Sequence, residues 1–362
     1  MALPSFLLRF RNRLLADPKF LEFAQKFPLT RPVARARSRD LFNLLAGFSY
    51  SQVLYACVTL RVLEHVGQAG ISLADLAVKI GLTEIRTDTL VRAAVALDIL
   101  GVAKTSIILG PHGAALLGQP WIMRFVEHHK YFYRDLEDPV ALLHGKTAKD
   151  GLKSYWTYDE SESDKKAYSD LMAASQEAVS QQILGAYNFS KQKNILDVGG
   201  GSGAFLKAVG ARYPQVGLNL FDLPGVTKLV TQMPPVKIHS GDFRVDPLPE
   251  GMDMISLVRV LHDHDDDVVN ALLRQIRTLS APLNTLSAPL NTLLIAEPFA
   301  GNPANAKVTD AYFNLYFAAM GQGRTRTPKE IAAMAAAAGF GHARIWPTNM
   351  PLITGVMTFH PL

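Results

Sequence analysis

The stretch from Asn194 to Leu206, NILDVGGGSGAFL, constrains the fold more than any other part of this chain. An apolar run meets the carboxylate of Asp197, then a glycine cluster, then residues that begin a helix. This is the pattern of a buried strand turning sharply into a helix. Glycine allows the tight turn and leaves no Cβ to hold the backbone away from a ligand. Gly199, Gly201 and Ala204 also fit the dinucleotide fingerprint, so the loop alone leaves two ligand classes open.

Two acids favour one class. Asp197, at the strand end beside the loop, repels a pyrophosphate but suits an α-ammonium group. A second run, Gly217 to Phe221, ends in Asp222, where a ribose diol can be gripped. Together they describe S-adenosylmethionine better than NAD. From residue 190 onward strands alternate with helices, at 194–198, 217–221, 236–239, 253–258 and 292–297, with a final pair near 342–347 and 353–359. That predicts an α/β fold with a doubly wound, Rossmann-like sheet. An alanine-rich helix at 328–338, with Pro328 at its first position, precedes the pair.

With 362 residues the chain has room for two domains. Its one cysteine, Cys57, lies in an apolar run and excludes an internal disulfide or a cysteine-based zinc site. The net charge of +5 is uneven. Residues 1–39 carry nine Lys or Arg against Asp17 and Glu22, leaving the remainder slightly acidic. Phenylalanines and leucines interleave with Arg9, Arg11, Arg13 and Lys19. Such an arm can lie on an anionic membrane surface or pack on a dimer partner. No signal peptide is read, and a cytoplasmic protein is expected, with the arm as its one route to a membrane. Leu41 to Leu60 is uncharged and long enough to cross a bilayer, but Asn43, Ser49, Ser51 and Gln52 favour a helix buried in a domain or dimer.

The expected divisions are an arm at 1–39, a mostly helical domain at 40–187 and the sheet domain at 188–362. In the helical domain Ser72 reads as an N-cap, a second helix spans about 83–100, and a hairpin follows at 101–103 and 106–110. Helix, turn, helix and wing raise DNA binding, but Glu84, Asp88 and Asp98 leave the second helix without a basic face, so no nucleic-acid partner is expected. The adjacent His128 and His129 cannot share a metal site, and no metal is expected. Another helix is read from Asp164 to Tyr187. A heptad is repeated without change at 278–284 and 285–291 and reads as a lengthened surface loop.

Chemistry collects at the carboxyl edge of the sheet. His262 follows the strand ending at Val258, and Glu297 ends the next strand. A histidine there can take a proton from a hydroxyl, and a carboxylate can fix its tautomer. The competing reading of residues 262–267 is a solvated, helix-capping turn or a metal site. Asp242 can accept from an adenine amino group and Phe243 can stack on the ring; a solvated turn is the alternative for the acid.

These motifs resemble, in order and spacing, the S-adenosylmethionine-dependent O-methyltransferases of the caffeate and acetylserotonin type: Asp197–Gly203, Phe221–Pro224, Gly241–Phe243, Arg259–Asp263 and Ala296–Pro298. The resemblance implies a winged-helix-like dimerisation domain at the N-terminus and hence a homodimer. It implies His262 as base with Glu297 as its partner. Asp197, Gly199, Gly201, Gly203, Asp222, Leu223, Asp242, Phe243 and Arg259 become cofactor contacts, with S-adenosylhomocysteine the product. Residues 40–54, 133–139, 257–267 and 310–321 resemble the hydroxyneurosporene O-methyltransferases, which act on an acyclic carotenoid. That implies a lipophilic acceptor among Met172, Phe313, Tyr316, Phe317 and Met320, for each of which a core role is the alternative. The chain departs from the plant enzymes at Thr325, where they carry a second catalytic Glu, at His264, where they have Trp, and at Ser175, where they have His. A polyketide, phenol or tetrapyrrole on the same scaffold is the rival acceptor.

Overall fold

In the computed structural model, residues 4–156, 175–228, 230, 235–280, 290–301 and 307–362 are described. Met172 and most of the tandem heptad lie outside them, as does the first part of the helix read from Asp164; its remainder is helical at 175–186. The chain divides into two compact units, 1–119 and 120–362.

The first unit is built from α1 (Ser5–Leu15), α2 (Pro18–Lys26), α3 (Arg31–Thr59), α4 (Val62–Val66), α5 (Leu73–Ile80), α6 (Glu84–Ala96), the hairpin β1 (Leu100–Ala103) and β2 (Ser106–Leu109), and α7 (Pro111–Leu117). Ser72 caps α5 by accepting from the Asp75 amide, and Thr83 caps α6 in the same way. Leu63, Leu76, Val91, Leu100 and Ile107 fill the core. Cys57 is fully buried there and its thiol pKa is pushed up to about 12 by burial, which leaves it unreactive.

Residue 39 falls inside α3, because nothing between Arg31 and Thr59 stops the helix until Arg61 turns left-handed. Only the end of the uncharged stretch, at Cys57 and Val58, is buried among the described residues, and its first half is not. Leu41, Phe42, Leu44, Leu45 and Phe48 are 68–74% exposed, a bare apolar stripe along α3. By length and composition α3 can cross a membrane, a test that core helices of other proteins also pass.

In the second unit, α8 (Pro120–Asp135), α9 (Pro139–Leu143), α10 (Leu152–Trp156) and α11 (175–186) precede the sheet. Then come β3 (Asn194–Val198), α12 (Ala204–Arg212), β4 (Gly217–Asp222), α13 (Pro224–Thr227), β5 (Val236–Ser240), β6 (Met254–Val258), α14 (Asp266–Thr278) and β7 (Thr292–Glu297). A π-helical turn, Lys307–Tyr312, leads into α15 (Phe313–Met320), followed by α16 (Pro328–Ala337), β8 (Phe340–Trp346) and β9 (Gly355–Pro361).

The seven strands lie in the order β5-β4-β3-β6-β7-β9-β8. β3 to β7 are parallel. β8 and β9 are joined by a short connection, which makes them antiparallel, and β9 lies beside β7. Strand residues alternate between two cores. Leu196, Ile255, Leu257 and Ile295 pack under α14 and α16, whereas Ile195, Leu220, Met254 and Leu294 pack against α11 and α12. The central strands are therefore apolar on both faces, as the unbroken runs in the sequence require.

Candidate active site

The carboxyl ends of β3, β4, β6 and β7 share one edge of the sheet, where open α/β sheets bind ligands. At β3, Gly199, Gly201 and Gly203 all have positive φ. A Cβ on Gly199 would meet Val260 at 2.9 Å, so the loop has no room for a side chain there. The Asp222 carboxylate reaches across from β4, accepting from the Gly201 amide at 2.7 Å and from its neighbour Leu223 at 2.7 Å. It thereby fixes the glycine loop. Burial raises its pKa, against those two amides.

Asp197 lies deeper than its place beside the loop suggested. It is 1% exposed, Oδ1 accepts from the Ser256 hydroxyl at 2.7 Å, and Oδ2 has no hydrogen-bond partner among the described residues. Burial, with Asp222 nearby, pushes its pKa up to about 7 even though Ser256 opposes the shift. Asp242 is already engaged: Arg244 binds both of its oxygens, through Nε and Nη2, and holds its pKa low. An adenine amino group would share that carboxylate with Arg244, a partner that sequence reasoning missed at only two residues' distance. Phe243 meets the His264 ring edge-on at 5.2 Å. Arg259 has φ +57°, rare for a side chain bearing a Cβ, and its Nη1 lies 3.4 Å from the Ser175 hydroxyl.

At β6 and β7, His262 and Glu297 come together. The Nδ1 of His262 bonds to Glu297 Oε2, and Glu297 Oε1 accepts from the Val260 and Leu261 amides at 3.0 and 2.8 Å. Glu297 thus orients both the ring and the turn that carries it. Asp263 Oδ1 lies 3.2 Å from Nε2, so the imidazole stands between two carboxylates. Burial opposes its charged form, but Glu297 and Asp263 outweigh that and raise its pKa to about 9. Asp265 stands at the N-cap of α14 with Asp266 and Asp267 in the first turn, but its side chain accepts from the Gly323 amide and makes no capping hydrogen bond to the helix.

Phe317 lies 5.1 Å from the His262 ring, and Phe313 stacks on Phe317 at 6.0 Å. Tyr316 and Met320 are buried in the same cluster with residues of α8. Its polar ends are tied internally: the Tyr316 hydroxyl lies 2.8 Å from His128 Nε2, and the Tyr312 hydroxyl 3.0 Å from His129 Nε2. Burial drives the His128 pKa down to about 3, so both its bonding and its charge state suit an aromatic wall. Thr325 donates to Asn314 at 2.8 Å.

The residues fit S-adenosylmethionine. A loop of positive-φ glycines with no room for a Cβ at Gly199, a carboxylate at the tip of β4 and a buried carboxylate oxygen without a donor among the described residues are what its amino-acid and ribose groups need.

Comparison with known proteins agrees. A family profile described as an O-methyltransferase domain matches residues 133–341, and one described as an O-methyltransferase dimerisation domain matches 42–111, which supports a homodimer. The chain is 38% identical to demethylspheroidene O-methyltransferase of Rhodobacter capsulatus, over 97% of this chain and 89% of that one. It is 27% identical to acetylserotonin O-methyltransferase of Mus musculus molossinus, over 85% and 84%. The human N-acetylserotonin methyltransferase, solved in complex with SAM, shares the fold at TM-score 0.74 and 21% identity, over 90% of this chain and 97% of that one. Glycine cradle, His–Glu pair and overall likeness converge: the chain belongs to the S-adenosylmethionine-dependent O-methyltransferases.

Proposed function

We propose that this chain methylates the tertiary hydroxyl of an acyclic 1-hydroxycarotenoid, of the hydroxyneurosporene or demethylspheroidene type, with His262 as general base. The observation that carries the acceptor is the near full-length likeness to demethylspheroidene O-methyltransferase. The aromatic wall of Phe313, Phe317 and Tyr316 beside His262 supports a lipophilic chain as its occupant.

S-adenosylmethionine supplies the electrophilic methyl group. Asp222 would accept from the ribose hydroxyls, Asp197 with Gly199, Gly201 and Gly203 would receive the amino-acid end, and Leu223, Asp242, Phe243 and Arg259 would complete the cofactor side. Neutral His262 would take the acceptor's proton at Nε2 as the hydroxyl oxygen gains the methyl group and the S–CH3 bond breaks to leave S-adenosylhomocysteine, and Glu297 would stabilise the resulting imidazolium. Such a base is needed more for an alkanol than for a phenol, because the alkanol is far less acidic. The test is transfer of labelled methyl to 1-hydroxyneurosporene in detergent micelles. Product supports the reading; cofactor binding without product sinks the acceptor and leaves the family.

The acceptor partitions into membrane, which gives the N-terminal arm a purpose. Phe6, Phe10 and Phe23 are exposed among the arginines and lysines of α1 and α2, and Leu29 is exposed in the turn that follows. The arm therefore docks the cytoplasmic enzyme peripherally on anionic lipid. Deleting residues 2–30 is expected to reduce co-sedimentation with anionic liposomes while leaving S-adenosylmethionine affinity unchanged. Equal sedimentation of the two forms would refute the docking role.

A further inference from the structure

Arg326 is a buried cation that none of the steps above uses. Its side chain is only 1% exposed. The guanidinium donates to the Leu261 carbonyl at 2.6 Å and the His264 carbonyl at 2.7 Å, and to Asp266 Oδ1 at 2.7 and 3.0 Å. Those carbonyls bracket His262. A buried guanidinium satisfied by two backbone carbonyls and one carboxylate is a fixed fork with little freedom to shift.

The neighbouring segment adds to this grip. The Arg324 amide donates to the His262 carbonyl at 3.0 Å, and the Gly323 amide to Asp265 at 3.1 Å. Gly323 has φ +81°, and a Cβ there would lie 2.1 Å from the His262 carbonyl oxygen. The strap therefore lies directly on the turn. A void of only about 10 Å³ remains among His262, Glu297, Arg324 and Arg326, so movement of one is felt by the others. The same strap begins where α15 ends, and α15 supplies the Phe317 ring against the imidazole.

We propose that Arg326 is a positioning residue for methyl transfer, clamping the turn that carries His262 in register with the aromatic wall of α15. The inference rests on the assignment of His262 as base. The charged groups around the imidazole are Glu297 from β7, Asp263, His264 and Arg259 from its own segment, and Arg324 and Arg326 from the strap; α15 presents the uncharged Phe317.

The test compares wild type with Arg326→Gln, Arg326→Lys and Asp266→Asn. Asp266 is half exposed, so its variant should fold even if Arg326→Gln does not. Two readouts are taken: the NMR titration of the His262 ring in enzyme bound to S-adenosylhomocysteine, and the rate and KM of methyl transfer. Loosening the turn should weaken the carboxylate contacts, so the His262 midpoint falls towards the ordinary histidine value. Loss of a cation alone would raise it instead, which makes the sign diagnostic. The rate at saturating acceptor should fall about 10- to 100-fold in Arg326→Gln, with cofactor affinity retained, since small misplacement of a reacting group costs this much. Arg326→Lys and Asp266→Asn should shift both readouts the same way by less. A midpoint that stays or rises, with the rate retained, overturns the proposal even if the melting temperature drops. If wild type fails to methylate the carotenoid, the acceptor assignment falls while the His262 titration still judges Arg326.

Discussion

Replacing His262 by alanine is expected to lower methyl transfer by about 10² to 10⁴-fold, with cofactor affinity nearly unchanged. As the proposed base the residue would meet the hydroxyl, not the cofactor cradle, so the loss should appear in the rate and not in S-adenosylhomocysteine binding. The pH profile gives a sharper check. Between Glu297 and Asp263 the imidazole is held protonated, with a pKa near 9. Only the neutral ring accepts a proton, so kcat/KM should rise with pH through that region and then level off. Asp263→Asn removes one of the two carboxylates, and the rising limb should move to lower pH. The sign for stability is the opposite. A raised folded-state value means that the pairing stabilises the fold fully below the unfolded histidine pKa of about 6.5, and that the contribution is lost as pH climbs through about 9. A flat pH profile in wild type, or His262→Ala at near-normal rate, would remove His262 from the chemistry.

Asp222→Ala is expected to weaken S-adenosylmethionine binding by roughly 10²-fold or more, measured by calorimetry. Hydrogen bonds to a charged acceptor contribute about 1.5–3 kcal/mol each, and each 1.4 kcal/mol is tenfold in affinity. On the proposed assignment two ribose hydroxyls would lose their acceptor together. The Gly201 amide loses its partner as well, so the glycine loop is loosened before any cofactor arrives. Asp222→Asn keeps one acceptor oxygen and should lose less. Because burial raises the Asp222 pKa, affinity should also begin to fall on acidification above the ordinary carboxylate range. Ala and Asn variants that both bind like wild type would show that this carboxylate only shapes the loop.

Much of this was legible in the chain itself, for a physical reason. Strands β3, β4, β6 and β7 are short, largely apolar runs buried within the sheet, and each ends at or just before a chemical residue, so Asp222, His262 and Glu297 could be placed on one edge from the pattern alone. What stayed hidden depends on chain segments far apart. Arg326 grips a turn 62 to 65 residues earlier, and nothing in its own neighbourhood announces that. The depth of Asp197 depends on Ser256 and on the loop folding over it. The fate of α3 was half legible: its composition marks a helix seeking apolar cover, but not that the chain's own domain leaves the stripe bare.

That bare stripe ties the protein's stability to its concentration. A dimerisation domain whose longest described helix bares Leu41, Phe42, Leu44, Leu45 and Phe48 to water is suited to a native state that a second copy completes. Mass action then enters the folding equilibrium: dilution favours the uncovered protomer, and crowding more copies into the same volume favours the closed pair. Its melting point is a property of the solution as well as of the chain.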